Sequence, residues 1–250
     1  AALVLRSLLR RKDYLSLQIK RLCLDKKLVG AILYIGIPAG LQATLIALPN
    51  VLIDASVNSF GSAAVAGVSA SNNLEGFIHA AMVAISNTAL AFIGQNVGGK
   101  RYERISKITR ICLLLELVVT AGITAVFCVY SRPLLGIYLP HAPEAVDYGV
   151  LRNVTVFPAI FLMGFINVFM AGMRGMGASI TPAVTILAGL CGSRVIWIYT
   201  AFAQHRTLQM LFYAFPVSWV ITAAVQAVCY CLIYRSFMRK AAQEPAPIEQ

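Results

Sequence analysis

Charge is scarce in this 250-residue chain: Asp, Glu, Lys and Arg make up 12% of it, against about a quarter in a soluble domain. With 59% hydrophobic residues and a mean hydropathy of +0.76, too few polar positions remain to cover a water-facing surface, and the chain reads as an integral membrane protein. Catalytic patterns are missing as well. There is no HExxH, no GxSxG and no Walker loop, so no enzyme is expected, and without an ATP site active transport must draw on an ion gradient or a partner. No cofactor or metal site is expected either. The six cysteines (Cys23, Cys112, Cys128, Cys191, Cys229, Cys231) form no CxxC pair and no metal-ligand spacing, and five lie in apolar segments, where a thiol packs as a small hydrophobe. The start "RSLLRRKDYLSLQIKRLCLDKK" is too basic and interrupted for a signal peptide, and Ala1 in place of Met suggests a fragment or processed product.

What the chain has is long apolar runs. Six segments reach the ~20 residues a spanning helix needs: 28–56, 63–97, 108–130, 148–172, 179–203 and 208–234. The runs are continuous rather than alternating, which excludes barrel strands. The expected fold is all-α integral membrane with six transmembrane helices. The second segment is long enough that it must tilt, kink or project from the bilayer.

The net charge of +11 does not imply nucleic acid, because the basic residues cluster between apolar segments. Residues 1–27 carry eight Lys or Arg, "GGKRYERISKITR" five, "MRGMG" one and "RSFMRKAAQ" three. With six alternating helices these share one side, and the positive-inside rule makes it the cytoplasm of a cell-membrane protein with both termini inside. The expected organisation is a basic cytoplasmic linker at 1–27, a transmembrane lobe at 28–237 and a disordered cytoplasmic tail at 238–250. The linker is either an amphipathic helix on the inner leaflet or a plain connection. Gly98 and Gly99 fit a C-terminal helix cap, and the proline-containing link 131–146 fits a cap over the bundle.

Ionisable groups inside a membrane usually face protein or water and mark a pathway. Glu75 lies in the second segment, on a helical stripe with Ser71, Asn72, His79, Met82 and Ser86. A carboxylate there can load and release a proton, or hold Na⁺ with neighbouring amide oxygens; the alternative is a hydrogen-bonded cluster tying helices together. His79, one turn on, is expected in that packing. Asp54 reads as an interfacial residue at the outer end of the first segment, with Asn50 and Asn58 on its face and Pro49 interrupting the backbone ladder nearby. Glu116 and Arg194, in the third and fifth segments, are expected to pair with each other or with headgroups. Arg152, near the outer interface, is expected to snorkel; all three read as structural. Asn167, among Met163, Phe165, Phe169, Met170 and Met173, offers an adaptable surface for apolar ligands, or ordinary packing.

Three stretches, "IGIPAGLQATLIALPNVLIDASVNSFGS", "NNLEGFIHAAMVAISNTALAFIGQNVGGKRYERI" and "MAGMRGMGASITPAVTILAGLCGSRVIWIYT", together resemble the multidrug and toxic compound extrusion (MATE) family over about residues 28–235. Their order is similar to the family's C-terminal half, one lobe of a twelve-helix transporter. The resemblance implies antiport of drugs or other organic, cationic compounds against Na⁺ or H⁺, with the lipid bilayer, a small organic substrate and a missing N-terminal six-helix lobe as partners, and 1–27 as the link between lobes. Glu75 matches an acidic position of the family's eighth helix. The acidic positions many relatives carry in the seventh and tenth helices are absent; Gln42, Thr44 and Asn50 stand nearest the first, and Asn167 the second. The expected ion-coupling set is therefore Glu75, Asp54, His79 and Asn72, and the substrate set Asn50, Gln42, Asn167, Met163 and Phe169. A lipid-linked precursor flippase of related architecture, or an inactive half-transporter or scaffold, are the alternatives.

Overall fold

The computed structural model describes residues 29–30 and 49–241. Val29 and Gly30 are helical and belong to one unit, 1–43; everything below lies in the second, 44–250. Among the described residues there is no strand. The chain runs through α1 (49–58), α2 (Ser62–Gly98), α3 (Glu103–Val129), the short α4 (Ser131–Tyr138), α5 (Pro143–Val156), a 3₁₀ turn at Phe157–Ala159, α6 (Phe161–Gly175), α7 (Ile180–Phe202) and α8 (Leu208–Ala241). Four of these are long and apolar enough to cross a membrane. The pair Pro143–Ala159 and Phe161–Gly175, bent by 44°, gives a fifth when taken together as one broken span. Of the first expected span only Val29, Gly30 and the helix from Pro49 onward are described, and Gln42 lies outside the described residues, as do 1–27 and 242–250.

Several boundaries differ from the sequence expectation. The fourth span starts at Pro143, five residues early, with proline at its first turn, where a missing N–H costs nothing. It breaks at Phe157–Ala159 because Pro158 cannot donate to the ladder. The last helix continues to Ala241, four residues into the segment expected as tail. At the end of α2, Gly99 is the C-cap as expected, and the left-handed residue after it is Lys100 (φ 55). Its N–H reaches Val97 O at 3.1 Å and that of Arg101 reaches Asn96 O at 2.8 Å, a Schellman closure. The same closure ends α6, with Gly177 (φ 87) in the left-handed position and Ala178 N bonded to Met173 O at 2.9 Å.

α2 packs against α3, α5 and α6, so its 37 residues form the axis of the lobe. The α2–α5 crossing is set by two glycines. A Cβ on Gly67 would strike Ala145 O and come within 2.9 Å of Gly149 N, and one on Gly149 would lie 3.0 Å from Gly67 O. Small residues let backbones touch in this way inside membranes. One turn further along each helix, Ser71 and Asn153 meet in a hydrogen bond of 2.5 Å. α3 is polar on its inward side and apolar outward, as a lipid-facing helix must be. Its buried positions are Ile105, Thr109, Cys112, Glu116, Thr120 and Thr124, while Ile111, Leu114, Leu115 and Val118 are exposed. Along α7 the ladder widens to π turns at Leu187–Gly192 and Ile198–Phe202, and Gly189 leaves room for Thr222 of α8.

Gly67→Ala is expected to destabilise the lobe by about 1–3 kcal/mol through overpacking. Gly76→Ala, in the same helix with nothing within 4 Å of the added carbon, should be neutral or gain up to about 1 kcal/mol of helix propensity. Thermal unfolding of the two variants in one detergent checks the contrast.

Candidate functional site

The crossing at Gly67 and Gly149 carries the site. Two turns beyond Gly67, Glu75 of α2 meets Arg152 of α5: Nη2 donates to Glu75 Oε2 at 2.5 Å. Arg152 Nη1 donates to Ser71 Oγ at 2.6 Å, Ser71 donates to Asn153 Oδ1, and Asn153 Nδ2 donates to Ser131 Oγ of α4 at 2.7 Å. Five polar side chains on three helices thus form one chain of hydrogen bonds, four of them buried and Glu75 at its open end. Arg152 does not snorkel. It is 2% exposed, because the true start of its helix leaves it nine residues inside rather than at the interface.

The open end faces a cavity of about 390 Å³ lined by Asn50, Ile53, Asp54, Asn72, Glu75, Gly76, His79, Arg152 and Phe215. Four sequence-derived ion-coupling residues, Glu75, Asp54, His79 and Asn72, therefore share one wall system with Asn50. The helical stripe divides at Glu75: Ser71, Met82 and Ser86 turn into the core, while Asn72 and His79 are exposed. His79 accordingly is not core packing, and the partner of Glu75 is Arg152 rather than His79.

Arg194 lies behind this wall. It is 5% exposed; Nη1 donates to Asn50 Oδ1 at 2.7 Å and Nε to Ser218 Oγ at 3.2 Å. Its Cζ stands 4.6 Å from the ring centroid of Phe215, over which Arg152 also stands at 5.5 Å. Its direct contacts are neutral dipoles and the Phe215 ring, and the Glu75 carboxylate acts on it electrostatically without touching it. The expected pairing of Arg194 with Glu116 is not found: Glu116 faces Gly164 of α6, and neither of its oxygens has a hydrogen-bond partner.

Of the other substrate candidates, the described ones (Met163, Phe169 and Asn167) do not line the cavity. Met163 packs on the main core, and Phe169 packs tilted against Tyr230, ring centroids 5.4 Å apart, in a separate cluster with Ile93 and Met173. Asn167 is half-buried between them. Residues absent from the sequence expectation are Phe215 and Gly76 in the wall and Arg152 as the ion-pair partner. Nothing in the sequence distinguishes Phe215 from the other phenylalanines.

A helical membrane lobe with a paired carboxylate at the wall of a cavity is a transporter-like architecture. Residues 38–200 match the sequence model of the MatE family, and the chain belongs to that family. It is 24% identical over 211 residues to the probable multidrug resistance protein YoeA of Bacillus subtilis (strain 168), covering 84% of this chain and 44% of that protein. The Vibrio cholerae MATE transporter VcmN in its bent form superposes with a TM-score of 0.74 at 24% identity, over 86% of this chain and 49% of that one. A MATE structure in complex with MaL6 gives 0.77 at 12% identity, over 92% and 52%. The chain spans about half the length of the relatives it matches, and the fold it shares with the solved structures is that of one lobe of a MATE transporter.

Removing one partner of the ion pair strands the other. Arg152→Gln is expected to cost up to about 3–5 kcal/mol, less to the extent that cavity water reaches Glu75. Combining it with Glu75→Gln should recover part of that loss, and denaturant unfolding of the single and double variants measures the coupling.

Proposed function

We propose that this chain serves as the C-terminal lobe of a cation-coupled antiporter, driven by Na⁺ or H⁺, that exports drugs or other organic compounds, cationic ones foremost. The observation that carries the reading is the Glu75–Arg152 pair at the wall of the cavity. Glu75 is the coupling residue, with Asp54, His79 and Asn72 around it and Asn50 presenting an amide to the substrate. Its carboxylate is hydrogen-bonded to Arg152, lies within electrostatic reach of Arg194, and keeps a side exposed to the cavity. A proton, a Na⁺ ion or a cationic substrate that takes Glu75 releases Arg152 and weakens the tie between α2 and α5. Each ligand then shifts the lobe's conformational equilibrium by its differential affinity for the two arrangements. Because ion and substrate compete for one carboxylate, the exchange is obligatory. The cytoplasm lies at the basic loops, and the second lobe of six helices closes the pathway.

A lipid-linked precursor flippase is favoured by a different observation, the two guanidiniums over Phe215, which suit a phosphate-bearing substrate. Competition separates the readings: an organic cation displaced from the purified transporter by other organic cations supports export, and displacement only by a polyprenyl pyrophosphate supports the flippase.

In a complete transporter carrying this lobe, Glu75→Gln should reach the membrane at normal abundance yet lose gradient-driven efflux of a fluorescent organic cation from everted vesicles. Efflux at the unmodified rate would remove Glu75 from the coupling step.

A further inference from the structure

Glu116 is the ionisable side chain that the reading above leaves unused. It sits thirteen residues from either end of α3 and is fully buried, with 0% exposure. Neither carboxyl oxygen accepts or donates a hydrogen bond. The helix seam is shaped around it: a Cβ on Gly164 of α6 would overlap its Cγ, Cδ and Oε1, so the missing side chain at Gly164 is the space the carboxyl occupies. Thr120 bonds the backbone carbonyl of Glu116 at 2.5 Å and leaves the carboxyl untouched.

Among the described residues no counter-charge stands against it. On α3 the titratable neighbour is Cys112, one turn away, itself packed among Ile85 and Ala89 of α2 and Val168 and Ala171 of α6. The ionisable groups that α2 and α5 bring into the membrane are engaged elsewhere. Glu75 and Arg152 hold each other, His79 lines the cavity, and Arg132 of α4 holds Asp147 of α5. Arg174 lies in the last turn of α6. Among the described residues no three acidic, His or Cys side chains gather to hold a metal ion. A bare carboxylate in such a place is far costlier than a neutral acid.

We propose that Glu116, seated against Gly164 in the seam between α3 and α6, is a second proton-binding site of the lobe, distinct from the cavity at Glu75. The proton is gained and lost when α6 swings on the break at Phe157–Ala159. That break lies five residues before Gly164 and packs on α3 through the Phe127–Phe157 ring contact at 6.5 Å. With the seam closed, as here, the acid stays neutral. With the seam open, water reaches it and the proton leaves. Glu116 thus ties the bend of the broken span to pH, whatever occupies the cavity.

This inference rests on the ion-coupled reading for its physiological role, but its first test does not. Infrared spectra of the complete transporter in lipid at neutral pH should contain a protonated-carboxyl carbonyl band that persists in Glu75→Gln and vanishes in Glu116→Gln. The band should shift slowly in D₂O as the seam opens. A wild-type spectrum identical to that of Glu116→Gln, or a band that never responds to D₂O, would overturn the proposal. In the same vesicles Glu116→Gln, neutral at every pH, should flatten the pH profile of efflux while keeping substrate binding at the Glu75 cavity; an unaltered profile also counts against it. Absence of gradient-driven efflux in the wild type would instead count against the antiporter reading and leave the infrared result to decide on Glu116.

Discussion

The lobe depends on one interaction, the ion pair between Glu75 and Arg152 across the α2–α5 crossing. In hydrocarbon each charge alone would be costly, and together they are tolerated only with good geometry and further hydrogen bonds. The structure supplies both. Gly67 and Gly149 bring the two backbones into contact, which places Ser71 and Asn153 within hydrogen-bond reach one turn on, and Ser71 fixes the second nitrogen of Arg152. A sequence feature as plain as two absent side chains thereby sets the position of the charged pair.

The interior charges are handled in three different ways, and the differences assign them different uses. Glu75 and Arg152 neutralise each other at the edge of a cavity, where an incoming cation can compete. Arg194 directly contacts an amide oxygen, a hydroxyl and the Phe215 ring and feels the Glu75 carboxylate at a distance. Glu116 has no partner and is closed off by the α3–α6 seam.

Much of the fold was legible because its signal is length and apolarity. The expected 63–97 and 179–203 correspond to Ser62–Gly98 and Ile180–Phe202. Apolarity fails where a helix begins in polar residues. α3 starts at Glu103, five residues before the apolar run, since Arg104 and Lys107 are helical although charged, and Pro143–Asp147 opens α5 for the same reason. That second error moved Arg152 from the interior to the interface and hid the partner of Glu75. The cavity residues Asn50, Asp54, Asn72, Glu75 and His79 were legible as polar groups at helical spacing in greasy segments. What spacing along one helix cannot give is the neighbour on another: the Glu75–Arg152 pair, Glu116 against Gly164, and Phe215 in the wall. The run "AAVAGVSAS" at 63–71 did carry a hint, since small residues mark close helix crossings.

The most direct test of this account is a distance. In the transporter reconstituted in lipid, with the Glu75 side-chain carboxyl carbon and the Arg152 guanidinium nitrogens isotopically labelled, solid-state NMR reads their dipolar coupling. The account predicts strong dephasing, as a 2.5 Å N–O contact requires, and its loss when a cationic substrate saturates the cavity. No coupling in the folded, substrate-free protein would contradict it, because Glu75 would then lack the hydrogen-bonded guanidinium that a ligand is to displace.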